Sequence, residues 1–309
     1  MINILNLNPS IDYFVTCSEF ELNKTNHSDY ESVSVGGKGS NVGILLNNLE
    51  VNSSMYGFVG GFTGSYVSSE ISKYQHIKDK MIDTKELTRI NVKLNYQGET
   101  EVNGVGKKIS KKYIEELEQS LKNLKENDIL VMTGRVANGM SFNWYLEMAK
   151  LMQSLNVDFV LDINDEVLKD VLAYNPLLLK PNEDEIRNIF NHQGHLSTDD
   201  LITYGKVMLD LGAKHVIISL GSEGSMFFFE NKIYTSKNLK REVKSTVGAG
   251  DSMIAGFLAE YTKSKDVLKA YKMAQACGNA TAFYEEIAEK DLIESVYKEI
   301  EIKKIEDGN

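Results

Sequence analysis

An α/β fold with a mostly parallel central sheet is predicted by three features of the sequence. Short β-branched or apolar runs alternate with longer segments of helical period, as expected of parallel strands joined by crossover helices. Two stretches, 11–35 and 88–105, break that alternation with strand-like segments and no helix between them, which predicts a small separate sheet. After the last strand-like runs the C-terminal third is mostly helical.

In chain order the strands are expected at Ile2–Leu7, Ser54–Phe58, Ile129–Thr133, Val157–Leu161, Leu177–Lys180, Val216–Ser219 and Met226–Phe229, each a short apolar or β-branched run. Helical period fills 39–49, 64–74, 109–124, 141–155, 182–191 and 199–211, and further helices are expected to start near Ala249, Asp266 and Glu289. Pro181 and Asn182, followed by Glu183, Asp184 and Glu185, make a helix start with acids in its first turn. Asn95-Tyr96-Gln97-Gly98-Glu99 reads as a hairpin turn inside the second irregular stretch. No Pro, Gly or Ser linker divides the chain and no repeat recurs along it. The expectation is therefore one body, 1–309, with 11–35 and 88–105 forming a lid over the carboxyl ends of the main strands, where ligands sit in open α/β sheets.

Composition removes several function classes. With 42% hydrophobic and 25% charged residues, the 309-residue chain is neither disordered nor low in complexity. Its apolar runs fall far short of the roughly 20 residues that cross a bilayer, so no membrane partner is expected. The start lacks a basic segment followed by a long apolar one, and two cysteines, Cys17 and Cys277, make no disulfide framework; a cytoplasmic setting is expected. A net charge of −10 argues against nucleic acid, whose affinity comes from clustered Lys and Arg. The basic run Lys107, Lys108, Lys111 and Lys112 leads straight into Glu115, Glu116 and Glu118, a solvated helix face.

The chemistry is concentrated in glycine-rich segments. In Ser245-Thr246-Val247-Gly248-Ala249-Gly250-Asp251-Ser252, small residues leave the amides of Gly248, Ala249 and Gly250 uncovered at a helix N-terminus, where unpaired N–H groups and the helix dipole favour an anion. Asp251 beside them can accept a proton from a hydroxyl attacking a phosphoryl group held there. A Walker loop is absent, and a dinucleotide fingerprint counted from Gly248 puts Met253 where the third glycine belongs. A second segment, Val35-Gly36-Gly37-Lys38-Gly39-Ser40-Asn41, offers close backbone approach, a positive charge and an amide one turn along, which suits a polar, phosphorylated ligand.

Taken with Asn8-Pro9-Ser10-Ile11-Asp12 at the end of the first strand, these segments resemble the PfkB, or ribokinase-like, carbohydrate kinases. The chain looks most like the branch acting on fructose 1-phosphate or tagatose 6-phosphate. The resemblance spans nearly the whole chain, through Asn8 to Asp12, Gly36 to Asn41, Thr88 to Lys93, Lys180 to Glu185, Ser219 to Gly224 and Thr246 to Asp251. It implies a three-layer α/β/α body with a small β-sheet lid.

The resemblance also implies roles. Asp12 binds acceptor hydroxyls, framed by Gly37, Lys38 and Asn41. Arg89 clamps the substrate's existing phosphate, as a bidentate guanidinium suits that oxyanion, and Lys93 shares its strand face. Asn182 and Glu185 serve Mg²⁺ and the nucleotide phosphates, Glu185 as the metal residue. Lys180, Ser219, Gly221, Gly224, Thr246, Gly248 and Gly250 line the ATP site, with Asn279 in the helical region bordering adenine. Asp251 is the catalytic base and the amides of 248–250 stabilise the transferred phosphoryl. ATP and Mg²⁺ are the implied cofactors, and a homodimer through the lid the implied assembly. The sequence departs from the family at Thr133-Gly134-Arg135-Val136-Ala137, where relatives commonly read Ser-Gly-Ser-Leu-Pro, and Tyr284-Glu285-Glu286-Ile287 is bulkier and more acidic than expected. Fructose 1-phosphate is the expected acceptor, tagatose 6-phosphate the alternative, and a sugar-phosphate sensor without catalysis the reading from another class.

Overall fold

The computed structural model describes residues 1–141, 143–163 and 167–305; position 142, within the helix expected at 141–155, lies outside them. The main sheet runs, edge to edge, through Lys303–Ile305, Lys232–Ser236, Ser225–Phe229, Val216–Ser219, Leu178–Leu179, Asp158–Asp162, Ile129–Thr133, Ile2–Asn6, Ser53–Val59 and Ile77–Asp79, with Ile82–Asp83 pairing on Ser53–Val59. From Ile77–Asp79 to Val216–Ser219 every pairing is parallel.

Because successive side chains of a strand point to opposite faces, each central strand feeds two cores. Leu5, Leu130, Met132, Phe159, Leu161 and Ile218 pack on one side with Leu117, Met148, Ile186 and Met208 of the helices Lys111–Leu121, Asn143–Ser154, Glu183–Phe190 and Thr198–Asp210. Ile4, Val131, Val160, Leu178 and Ile217 pack on the other with Leu45, Phe257, Ala274 and Val296 of Lys38–Asn48, Ala249–Ser264, Val267–Ala282 and Lys290–Glu299. The result is the three-layer α/β/α arrangement.

The small sheet is separate, in the order Tyr30–Gly36, Ser10–Thr16, Arg89–Asn95, Glu99–Asn103. Its strand Ser10–Thr16 continues from the carboxyl end of Ile2–Asn6 through Leu7, Asn8 and Pro9, and Gly36 and Gly37 return the chain into the helix at Lys38. Asp12 faces Ser34 on one neighbour and Asn91 on the other, so this sheet carries polar groups from the main sheet's carboxyl edge. The turn at 95–99 joins Arg89–Asn95 to Glu99–Asn103 in antiparallel register.

Parallel pairing fails at one edge. Only the short turn Gly221–Glu223 joins Val216–Ser219 to Ser225–Phe229, and the pair is antiparallel, since a parallel crossover needs about a dozen residues or more. Lys232–Ser236 and Lys303–Ile305 extend that antiparallel edge, and neither strand is evident from its short polar sequence. The strand expected at Leu177–Lys180 shortens to Leu178–Leu179, a helix forms at Leu168–Leu172, and the helix expected at 64–74 begins earlier, at Gly61.

Candidate active site

The helix Ala249–Ser264 starts from Gly248, whose φ of 75° lies in the left-handed region; a Cβ there would also fall 2.6 Å from Ile287 Cδ1. Residues 249–251 make its first turn, whose N–H groups have no carbonyl one turn earlier to bond. The Ala249 N–H turns instead to Thr246 O at 3.3 Å, which takes one of the three amides expected from the sequence to form the cradle. A Cβ on Gly250 would lie 3.1 Å from Lys180 Nζ, which places that ammonium against the helix N-terminus.

Asp251, 6% exposed, sits in this first turn. Asn41 Nδ2 donates to its Oδ2 at 2.7 Å, tying the two glycine-rich segments together. Burial, and then the negative charge of Asp162, push the Asp251 carboxyl up to about 6, while Lys38, Asn41 and Lys180 oppose the rise. A buried carboxylate poised near neutrality suits a proton acceptor.

Asp162 was not singled out in the sequence, yet it organises the centre. It ends the strand Asp158–Asp162 and is 2% exposed. Its Oδ2 accepts from Lys38 Nζ at 2.8 Å and Thr133 Oγ1 at 2.9 Å, and Lys180 Nζ stands 3.2 Å from Oδ1. Burial alone would raise this carboxyl; the ammoniums of Lys180 and Lys38, with the Thr133 hydroxyl, hold it well below the usual carboxylate range. The Lys38 ammonium answers in kind: burial works against it, but Asp162, Asp251 and Glu185 keep it above its ordinary value. The available signal was an acid at the carboxyl end of an apolar strand, where open α/β sheets bind ligands.

Glu185 is joined to Asn182 by a reciprocal helix cap. The Asn182 N–H donates to Glu185 Oε2 at 3.0 Å and the Glu185 N–H donates to Asn182 Oδ1 at 2.8 Å. That leaves Oε1 facing Lys38 Nζ at 4.0 Å. Burial, then Asp162, raise the Glu185 carboxyl. Among the described residues no group of three or more His, Cys, Asp or Glu side chains forms a cage for a metal. Asp162 Oδ2 and Glu185 Oε1, both turned toward Lys38 Nζ, are two carboxylate oxygens that do fit Mg²⁺, which is commonly held by one or two carboxylates plus waters and phosphates.

At the small-sheet end, Asp12 Oδ1 accepts from Ser10 Oγ and Asn91 Nδ2, both at 2.7 Å. A Cβ on Gly36 would strike that oxygen at 2.2 Å, so the glycine makes room for the carboxylate. Gly37 caps the helix that begins with Lys38. Arg89 is held by Asn8 O at 3.1 Å, Asn91 Oδ1 at 3.1 Å and Gly104 O at 3.2 Å, which presets its guanidinium. It lines a pocket with Asn8, Pro9, Thr88 and Lys107. Lys93 lies on the same strand face but pairs with Glu101 directly across the sheet. Arg135, in the departing segment, is exposed and follows Gly134, whose N–H donates to Asp162 O at 3.0 Å.

The other end is built from polar loops. Asn182 and Ser219 form a parallel bridge, and the Ser219 N–H donates to Pro181 O at 3.0 Å. Asn238, absent from the sequence reading, donates to Gly221 O at 2.8 Å and accepts from Gln275 at 2.7 Å and Asn279 at 2.9 Å. Asn279 is thus a buried support of the Gly221 loop rather than an open face. Gly224 packs so closely on the next strand that a Cβ would sit 2.0 Å from Ser236 O, and Thr246 is exposed just before the helix start.

A family model described as "pfkB family carbohydrate kinase" matches residues 5–291. The 1-phosphofructokinase of Bacillus subtilis is 34% identical over 305 residues, covering 99% of this chain and 100% of that one. The D-tagatose-1-phosphate kinase of Bacillus licheniformis is 30% identical, covering 98% and 99%. Phosphofructokinase-2 from Escherichia coli, solved in complex with potassium, superposes with a TM-score of 0.90 at 22% identity over 96% of this chain and 98% of that one, a likeness of fold.

Proposed function

The chain belongs to the pfkB family of carbohydrate kinases, and we propose that it moves the γ-phosphate of ATP to the free primary hydroxyl of a phosphorylated ketohexose, with fructose 1-phosphate giving fructose 1,6-bisphosphate. The observation that carries this reading is the buried Asp251 in the first turn of a helix that starts from a glycine, hydrogen-bonded to Asn41 of the other glycine-rich segment. Asp12, preset by Ser10 and Asn91, accepts hydroxyl hydrogen bonds and fixes the sugar. Arg89, already oriented by three acceptors, holds the phosphate the substrate brings. Asp251 takes the proton of the attacking hydroxyl. The amides of Gly248 and Gly250, with the Lys180 ammonium beside Gly250, stabilise charge on the phosphoryl group in transit. Glu185 and Asp162 would hold Mg²⁺, which would supply charge neutralisation of the nucleotide phosphates. The Gly221 to Gly224 loop, braced by Asn238 and Asn279, supports the rest of ATP.

A tagatose phosphate is the second acceptor to consider, because a D-tagatose-1-phosphate kinase is among the relatives. A sensor without catalysis would have no use for Asp251 held near neutrality. In the same reading the small sheet is the lid, and two lids meet in a homodimer: Val33, Ile90 and Val102 are 44%, 43% and 65% exposed on its apolar face. A cytoplasmic setting accords with two buried, unpaired cysteines. Phosphorus NMR of the protein with MgATP and fructose 1-phosphate tests the reaction: the γ signal should decline as a second phosphomonoester signal grows, and hydrolysis to free phosphate alone would refute transfer.

A further inference from the structure

Lys38 occupies the position a divalent cation would seek. Its Nζ lies 2.8 Å from Asp162 Oδ2 and 4.0 Å from Glu185 Oε1, and it is 41% exposed while these carboxylates are 1% and 9% exposed. Glu185 Oε2 is taken by the helix cap, so the oxygen turned toward Lys38 is the one left for a cation. Asp162 Oδ1 is buried with the Lys180 ammonium 3.2 Å away, so Oδ2 is the oxygen that Lys38 holds. The backbone of Lys38 is fixed as the first residue of its helix, while its stem lies beside Gly134, which has no side chain to pack on it.

Charge favours the exchange. With Lys38 in place, the carboxylates of Asp162, Glu185 and Asp251 face two ammoniums, Lys38 and Lys180; with Lys38 withdrawn, two negative charges stand uncompensated, the match for a divalent cation. We propose that Lys38 is a built-in stand-in for the metal: its ammonium bridges Asp162 and Glu185 in the empty enzyme, and arriving Mg²⁺ with nucleotide displaces it toward the phosphates. The inference rests on the kinase reading of this site. Lys38 thereby acts as a positioning residue that keeps two buried carboxylates apart from each other's repulsion and excludes free metal until phosphates come with it.

Mn²⁺ binding to the nucleotide-free protein, read by electron paramagnetic resonance, tests this without turnover. Lys38→Met should bind Mn²⁺ about ten-fold or more tightly than wild type, because the ion no longer evicts an ammonium. Lys38→Arg should stay as weak as wild type, and Glu185→Gln added to Lys38→Met should abolish the gain. Unchanged Mn²⁺ affinity in Lys38→Met, or an equal gain in Lys38→Arg, overturns the proposal. Should Lys38→Met not fold, ¹⁵N-lysine NMR of the wild type decides: the Lys38 ammonium signal should move on adding Mg²⁺ with a non-hydrolysable ATP analogue, and a stationary signal overturns the proposal. Metal affinity is read independently of any sugar, so a failed kinase assay and a failed exchange are separate results.

Discussion

Replacing Asp251 with Asn should trade activity for stability, in a pH-dependent way. The folded protein holds this carboxyl at about 6, against about 3.9 for an unfolded Asp. The unfolded chain therefore loses its proton first as pH rises. Stability from this group is fully present below about pH 4, falls through the interval up to about pH 6, and is missing at pH 8. At about 1.4 kcal/mol for each pH unit of displacement, the ionised side chain costs the fold up to about 3 kcal/mol. Asparagine removes that cost and keeps an oxygen for the Asn41 amide, though with a weaker bond than a carboxylate's, so a net gain of about 1–3 kcal/mol is expected at pH 8. Urea unfolding followed by circular dichroism at pH 8 and pH 4.5 measures it: the variant should exceed wild type at pH 8, and the gap should close at pH 4.5. Turnover should fall by about 10³-fold or more while ATP still binds. A variant less stable than wild type at pH 8, or a gap indifferent to pH, would refute the reasoning about burial and charge at this carboxylate.

Other substitutions probe the remaining parts. Arg89→Ala should raise KM for the phosphosugar about 10- to 100-fold with little change for ATP, as loss of a charge-assisted clamp implies; an equal loss for an unphosphorylated sugar would contradict the clamp. Asp162→Asn strands Lys38 and Lys180 beside a neutral side chain, and denaturation at pH 7 should show a loss of about 3–5 kcal/mol. Since the Asp162 carboxyl is held below its ordinary range, that stabilisation is present above about pH 4 and lost as pH falls, so the difference between variant and wild type should shrink in acid. Gly248→Ala meets Ile287 at 2.6 Å with a left-handed φ, and a thermal scan should show at least about 1 kcal/mol of destabilisation together with slower turnover.

The parallel strands were legible because burial on both faces makes each a continuous apolar run, as in Ile129–Thr133 with five buried residues. The edge strands Lys232–Ser236 and Lys303–Ile305 were not, since each is short and begins with an exposed lysine, and only pairing with a neighbour makes it a strand. The motif residues were visible because a glycine turn before a helix has a local signature; Gly248 to Asp251 is contiguous. Asp162 was missed for the opposite reason. Its importance comes from Lys38, Lys180 and Thr133, which lie far apart in the chain and meet only once the strands are side by side. Asn238 escaped notice likewise, being a loop amide whose partners Gly221, Gln275 and Asn279 are distant in sequence. Lys93 shows the converse limit: its strand face was correct, but the pairing with Glu101 depends on register with the next strand.

The most direct test of the central claim is kcat/KM by ADP release across fructose 1-phosphate, tagatose 6-phosphate, fructose 6-phosphate, fructose and adenosine. The highest value is expected for fructose 1-phosphate and the lowest for the unphosphorylated acceptors, as Arg89 requires. Turnover of none of the five, or a preference for fructose or adenosine over every phosphosugar, would contradict it.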